Sequence, residues 1–548
     1  MSYYQQQLPG AILMILGIGV IFSIPLSFLL LHAYRKALIK GMGYVSKKYK
    51  SEPASDTQIT RTWPKVEFNI TPLETISPKL SPEYNKLKET LGWHWFIFGF
   101  ACLGFAVIIA LTSFLEEPLT IKQLAFSLLF YSFPFIPIST MLLAITTKEK
   151  ITIIALLTFI YLGVCAGFWN TTSTIGFWAT FWPIIYTNLI PLGIVFILRI
   201  KAIRTVGLFV FSFFMISLTG PILSLFYLSH SPQTLNYIAG EFISQGYSGI
   251  GTFYAIIIIT FVASLPIAWL VLRMIRMAYQ RKWINDIQLN ADSIVLIFNI
   301  YYASVVCSSN PSAALLSLLA FPAYKIICFL FYFLLRRRLR QQKAIRLLLL
   351  RVFSLGKQSQ LMYERITRHW RYRGNIQMIS GPDLATSSIE PHEIIDFLSK
   401  ELKNHYCESV ESIERKIQNI DDQVDSDSTY RINEFFCRDN NWKEVLQRLV
   451  HSNDVIFMDL RKFGPDFKGC QFEIMSLVNF IPLHKVIFVV NNETKLDFMR
   501  EIFKKGFEQA SAKSPNLNEA KPIQLYAVKQ NNSKDIEGLL TVICNQIG

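Results

Sequence analysis

Two kinds of hydrophobic patterning divide this chain. Before about Arg336 the apolar residues run in long blocks, and beyond it they come in short bursts between amphipathic stretches. A helix crosses a bilayer's hydrocarbon core with roughly 20 mostly apolar residues. Nine blocks meet that description: 10–34, 93–115, 124–146, 151–169, 176–198, 206–228, 253–273, 291–308 and 313–335. The first has no basic run ahead of it and a basic run, Arg35 to Lys50, behind it, so it reads as a retained span and not a cleaved signal.

From about Leu347 the period changes. Strands are expected at Leu347–Phe353, Ile376–Ile379, Tyr430–Phe436, Val455–Leu460, Val486–Val490 and Ile523–Val528. Helices are expected near 357–372, 391–404, 409–419, 441–452, 468–481, 495–511 and 533–546, with an acidic loop at 422–428. This alternation predicts a parallel α/β sheet. The β-branched run Val455–Leu460 has the character of a central strand buried on both faces. The expected architecture is therefore a polytopic α-helical membrane protein, with a transmembrane domain over 1–340 and a C-terminal cytosolic α/β domain over 345–548.

Composition agrees: 51% of the 548 residues are hydrophobic and 17% charged, against about 25% charged in soluble domains. A purely soluble enzyme is excluded. The formal charge of +15 first suggests nucleic acid, but 29 of the 54 basic and only 12 of the 39 acidic residues precede Phe353, leaving a net −2 after it. Basic residues beside apolar spans mark membrane topology, so the expected partner is the lipid bilayer and not nucleic acid. One set of connecting loops holds twenty basic residues, including Arg35–Lys88 and Arg273–Lys282, and the alternate set only Lys122. That bias places the N-terminus outside and the α/β domain in the cytoplasm.

None of the eight cysteines forms a CxxC pair, which fits a reduced compartment and offers no metal site. Lys325 is the basic residue nearest the middle of a span. A charge there is either functional or snorkels to an interface. The loop 229–252 reads as a surface or re-entrant loop, and 50–92 as a long Pro/Ser/Thr-rich inner loop lying along the membrane or on the soluble domain.

In parallel sheets ligands bind beyond the strands' carboxyl ends. Ser354 and Gly356 follow the first expected strand, Gly381 and Asp383 the second, and Asp459 and Arg461 end the fourth. Lys468–Glu473, with Cys470, opens the next helix. A Gly turn before a helix N-terminus cradles phosphate, and a neighbouring arginine pairs with it. Cofactors of the NAD or other nucleotide type are the candidates, although the P-loop, GxGxxG, HExxH and GxSxG motifs are absent.

The stretch Ser452–Arg461 followed by Gly469–Glu473 resembles the middle of Toll/interleukin-receptor (TIR) domains, in which a strand after a Ser leads to a helix opening Trp-Cys-x-x-Glu-Leu; Gly469 stands in the tryptophan's place. It also resembles the C-terminal module of uncharacterised bacterial multi-pass membrane proteins. The resemblance implies a TIR-like or flavodoxin-like domain, a bacterial inner membrane, self-association as a mode of signalling, and, in NAD-cleaving members, a catalytic glutamate that falls on Glu473. On physical grounds Glu473 either stabilises a developing ribosyl cation or simply complements a helix dipole. The leading expectation is a membrane protein with a nucleotide- or partner-binding signalling domain. The alternatives are a membrane-tethered NAD or nucleotide hydrolase and a transporter or channel regulated by the soluble domain.

Overall fold

The computed structural model describes residues 3–48, 66–76, 82–115, 120–143, 147–170, 177–200, 203–339, 344–351, 357–380, 391–402, 406–407, 409–437, 441–517, 522–529 and 533–546. The chain forms two compact units, each built from several stretches. One comprises Met1–Tyr34, His94–Arg337 and Ile389–Leu398, and the other Arg35–Trp93, Arg338–Ser388 and Ser399–Gly548. No single point near residue 340 divides them.

In chain order the first helices are α1 (Tyr3–Lys48), α2 (Pro82–Ser113), α3 (Ile121–Tyr131), α4 (Phe135–Leu143), α5 (Thr147–Asn170), α6 (Phe177–Leu198) and α7 (Arg204–Ser217). They continue with α8 (Thr219–His230), α9 (Pro232–Ser244), α10 (Gly249–Gln280), α11 (Asp286–Ser309), α12 (Pro311–Ser317) and α13 (Ala320–Leu339). Seven described stretches are helical, long and apolar enough to cross a membrane, and the bent pair α3–α4 makes an eighth. The expected span 176–198 falls on α6, whose described apolar part, Ile185–Leu198, is shorter than a crossing. The 43° bend between α3 and α4 sits at Pro134. Proline has no N–H to continue the helix, and the turn closes instead with Phe135 N donating to Ser132 O. The stretch 229–252 is not a loop: Pro232 starts α9, proline being well suited to a helix's first position.

Burial varies widely within this unit. Of α11's apolar window 72% is buried, and of α10's only 11%. At Gly220 in α8 an added Cβ would lie 2.6 Å from Thr260 O of α10, so those two helices meet backbone to backbone, and Ser264 Oγ of α10 donates to Ser217 O at the end of α7. Small residues permit such approach between apolar helices. The helix expected at 391–404 forms α15 (Pro391–Leu398) and packs on α7, α10 and α11 of this same unit. Tyr34 Oη donates to Glu393 Oε1 at 3.0 Å there.

The second unit is built on a seven-stranded, wholly parallel sheet: β1 (Phe68–Pro72), β2 (Ile345–Arg351), β3 (Gly374–Ser380), β4 (Ile432–Phe436), β5 (Val455–Asp459), β6 (Val486–Val490) and β7 (Ile523–Ala527). Its helices are α14 (Lys357–Trp370), α16 (Val410–Gln418), α17 (Trp442–Ser452), α18 (Lys468–Phe480), α19 (Leu496–Glu508) and α20 (Ser533–Asn545). Alternation along each strand sorts the core into two faces. Leu348, Leu350, Ile456, Met458 and Phe488 meet Val445, Ile474, Leu477 and Phe503 of α17–α19. Leu347, Leu349, Phe457, Ile487 and Val489 meet Met362, Ile366, Ile536 and Leu540 of α14 and α20.

The strand order is β1-β7-β6-β5-β2-β3-β4. Leaving β1 aside, this is the doubly wound order 3-2-1-4-5-6, which differs from the order 2-1-3-4-5 of flavodoxin-like sheets. The difference arises because β4 adds outside β3, Ile376 pairing with Ile432, while β5 crosses to the far side of β2, Leu347 pairing with Val455. The seventh strand comes from the long inner loop. Phe68–Pro72 adds in parallel to β7, Ile523 N donating to Glu67 O at 2.9 Å and Gln524 Nε2 to Thr71 Oγ1 at 2.8 Å. Pro72 is tolerated because β1 is an edge. The following turn seats Leu73 so tightly on α20 that a Cβ at Gly538 would lie 2.2 Å from Leu73 O.

Residues 422–428 are also no free acidic loop. Asp422 pairs with Arg346, Asp425 with Arg431 Nε at 2.9 Å, and Asp427 Oδ1 accepts from Thr429 N and Oγ1.

Candidate functional site

The reversal of strand order falls between β2 and β5, so the sheet's carboxyl edge at those two strands is the first place to look for a ligand. Asp459 ends β5 in register with Arg351 of β2 and Val489 of β6. Its carboxylate is fully buried and accepts from Arg461 Nε at 2.8 Å, Nη2 at 2.7 Å and the Arg461 backbone N at 3.2 Å. The two predicted ligand residues thus form a bidentate buried ion pair, the geometry that suits a guanidinium best. Burial pulls the Arg461 pKa down, but the hydrogen bonds to Asp459 and the attraction of Asp459, Tyr363 and Asp535 outweigh it and hold the guanidinium above its ordinary value. The edge therefore carries a fixed positive group tied to a fixed negative one.

Residues that the sequence reading passed over brace this edge. Lys462 adopts φ 62°, a left-handed conformation uncommon for a residue with a Cβ. Its N–H donates to Asn491 Oδ1 at 3.0 Å, Thr494 Oγ1 donates to Leu460 O at 3.1 Å, and Lys495 N donates to Phe463 O at 3.0 Å. The turns after β5 and β6 thereby hold each other. On the β2 side, Tyr363 Oη donates to Leu350 O. The signal was present in the polar run Asn491–Thr494 directly after an apolar strand, a turn composition.

The other predicted site residues are placed differently. Cys470 is 1% exposed and joins the apolar cluster beneath the sheet. Glu473, one turn further along α18 and so on the same helix face, is 2% exposed. Both point inward from the helix. Ser354, Gly356, Gly381 and Asp383 lie outside the described residues. All eight cysteines are buried and none is in a disulfide. Among the described residues no group of three or more His, Cys, Asp or Glu is placed to hold a metal ion.

In the helical unit Lys325 of α13 donates to Asp292 Oδ2 of α11 at 2.6 Å, with side-chain exposures of 32% and 16%. The lysine thus has its counter-charge on the neighbouring helix, which offsets part of the cost of placing either group among apolar side chains.

No family model, curated protein or solved structure matches this chain.

Proposed function

We propose that this chain is a multi-pass inner-membrane protein whose α/β unit binds a nucleotide and converts occupancy into a signal. The observation that carries the reading is the strand order, which reverses between β2 and β5. Sheets wound in this order take phosphate-bearing ligands at that reversal, outside the strands' carboxyl ends. In sequence Ser354 and Gly356 fall between the end of β2 at Arg351 and the start of α14 at Lys357, and Arg461 follows β5 across the switch point. The twenty-to-one bias in loop charge supports an N-terminus outside and an α/β unit in the cytoplasm.

Binding is favoured over cleavage, because catalysis by Glu473 requires its carboxylate at the substrate, and that side chain is 2% exposed.

The test is titration of the full chain in nanodiscs with NAD, ATP and cyclic nucleotides, following binding by calorimetry and turnover by chromatography. Saturable binding of at least one ligand, weakened more than about tenfold by Gly356→Asp through like-charge repulsion, is the expected result. Cleavage lost in Glu473→Gln would replace the binding reading with the hydrolase. No binding, with self-association retained, would make the unit a scaffold.

A further inference from the structure

No Asp or Glu occurs between Glu241 and Asp286, yet Arg273, Arg276, Arg281 and Lys282 fall in that interval. Arg273 and Arg281 are exposed, and among the described residues neither forms an ion pair. Each lies instead over a tryptophan ring, Arg273 over Trp269 at 5.8 Å and Arg281 over Trp283 at 5.4 Å from the ring centre. Both rings are more than half exposed. A guanidinium stacked on a ring uses its face and keeps the N–H donors along its edge. Those edge donors match a phosphate in bidentate fashion.

The backbone sets up both pairs. Trp269 and Arg273 stand four residues apart on α10 and so share a face. At the helix end Lys282 N donates to Tyr279 O at 3.0 Å and Trp283 N to Ala278 O at 2.8 Å, the two bonds of a Schellman turn. That turn folds Trp283 back beside Arg281. It requires a left-handed residue, and Lys282, with φ 61°, stands where glycine is the usual occupant.

Exposed apolar side chains lie among the two pairs: Ile267, Leu270, Met274 and Met277 are each at least 41% exposed. Nucleic acid or an acidic protein would neutralise the arginines and leave these side chains uncovered. An amphiphile with an anionic head answers both. We propose that Trp269–Trp283 is a binding site for anionic phospholipid, its phosphate accepting from Arg273 and Arg281 while its acyl chains cover Ile267, Leu270 and Met274. Tryptophan is enriched at the level of lipid headgroups, and the loop-charge bias assigns this end of α10 to the inner leaflet. The inference rests on the membrane placement of α10 and not on nucleotide binding by the α/β unit.

The test uses the full chain in phosphatidylcholine nanodiscs carrying a trace of a photoreactive lipid with a diazirine beside its phosphate. Phosphatidylglycerol and phosphatidylcholine probes are compared, and their cross-links are mapped by mass spectrometry. The phosphatidylglycerol probe should label 265–283 at least about fivefold more than the phosphatidylcholine probe, the fold-change expected of one basic residue at an anionic lipid. Arg273→Gln with Arg281→Gln should bring that ratio close to one. Arg273→Lys with Arg281→Lys keeps both charges but loses the planar fork, and an intermediate ratio is expected. Equal labelling by the two probes in the unmodified chain overturns the proposal while leaving α10 in the bilayer. Labelling of 265–283 by neither contradicts the membrane placement as well. An undiminished preference in the double Gln variant also overturns the site, and so does its loss in 10 mM inorganic phosphate, which would assign the arginines to a free anion.

Discussion

In α10, Ile258, Ile259, Val262 and Trp269 are each more than half exposed, whereas every residue of β5 and β6 is buried. Side chains of the same chemistry are thus turned outward in one unit and inward in the other. A soluble surface rarely shows apolar patches beyond a few hundred Å², so the outward-facing isoleucines of α10 imply hydrocarbon as their solvent. The inward-facing ones in the sheet are held by water exclusion. Polar residues follow the same division. The helical unit pairs its Lys325 across two helices, and the α/β unit confines Asp459 and Arg461 to one turn at a strand's end.

Substitutions should separate the two regimes sharply. Phe457→Ala, in the middle of β5, is expected to cost about 3–5 kcal/mol. Ile259→Ala on α10 should cost under about 0.5 kcal/mol. Denaturant unfolding of the full chain in detergent micelles measures both, and comparable costs would break the comparison. The buried ion pair is the next most sensitive point. Asp459→Ala strands a buried guanidinium, at about 3–5 kcal/mol, while the double change Asp459→Leu with Arg461→Met should recover most of that loss. In the helical unit Lys325→Met strands Asp292 in a more exposed pair, and a smaller cost of about 1–3 kcal/mol is expected. Adding Asp292→Leu should restore the melting temperature.

A finer test concerns the strand contributed by the long inner loop. Gly538→Ala forces a Cβ against Leu73 O, and overpacking of this kind costs about 1–3 kcal/mol. Hydrogen exchange should show the amides of Phe68–Pro72 losing protection while those of β5 keep theirs. A pH dependence bears on the same unit. Burial pushes the Cys544 thiol up to about 12 from an ordinary 9.0, with Glu83 adding to the rise and Arg373 opposing it. The neutral thiol is therefore favoured by folding. Its contribution is intact below pH 9.0 and is lost as pH rises toward about 12, at no more than about 1.4 kcal/mol per pH unit. Cys544→Val should flatten that part of the alkaline stability curve.

Much of this architecture was legible in the residues. Six strands were expected and form near their expected places, because runs such as Val486–Val490 are β-branched, apolar and bounded by turn residues. Strand β1 was not, because Phe68–Pro72 is short, half polar and ends in proline, and it becomes a strand only through its pairing with β7. The helix 391–398 could be read from its period, but nothing in that period says which apolar surface it covers. Lys325 was visible as a charge in a span. Its partner was not, because Asp292 sits at the start of an apolar block and meets Lys325 only when α11 and α13 pack. At the switch point Asp459 and Arg461 were visible, but their pairing was not, since the sequence spacing does not say that both side chains turn toward each other.

The comparison between the two units stands or falls on the solvent around α10. Nitroxide labels at Ile259→Cys and, as a soluble-side reference, at Asp497→Cys should be examined by power-saturation paramagnetic resonance in nanodiscs, with oxygen as the lipid-phase relaxant and a nickel chelate as the aqueous one. The account predicts that the label at 259 responds to oxygen and not to nickel, and that the label at 497, on an almost fully exposed side chain of α19, does the reverse. Relaxation of the label at 259 by the nickel chelate would place α10 in water and contradict it.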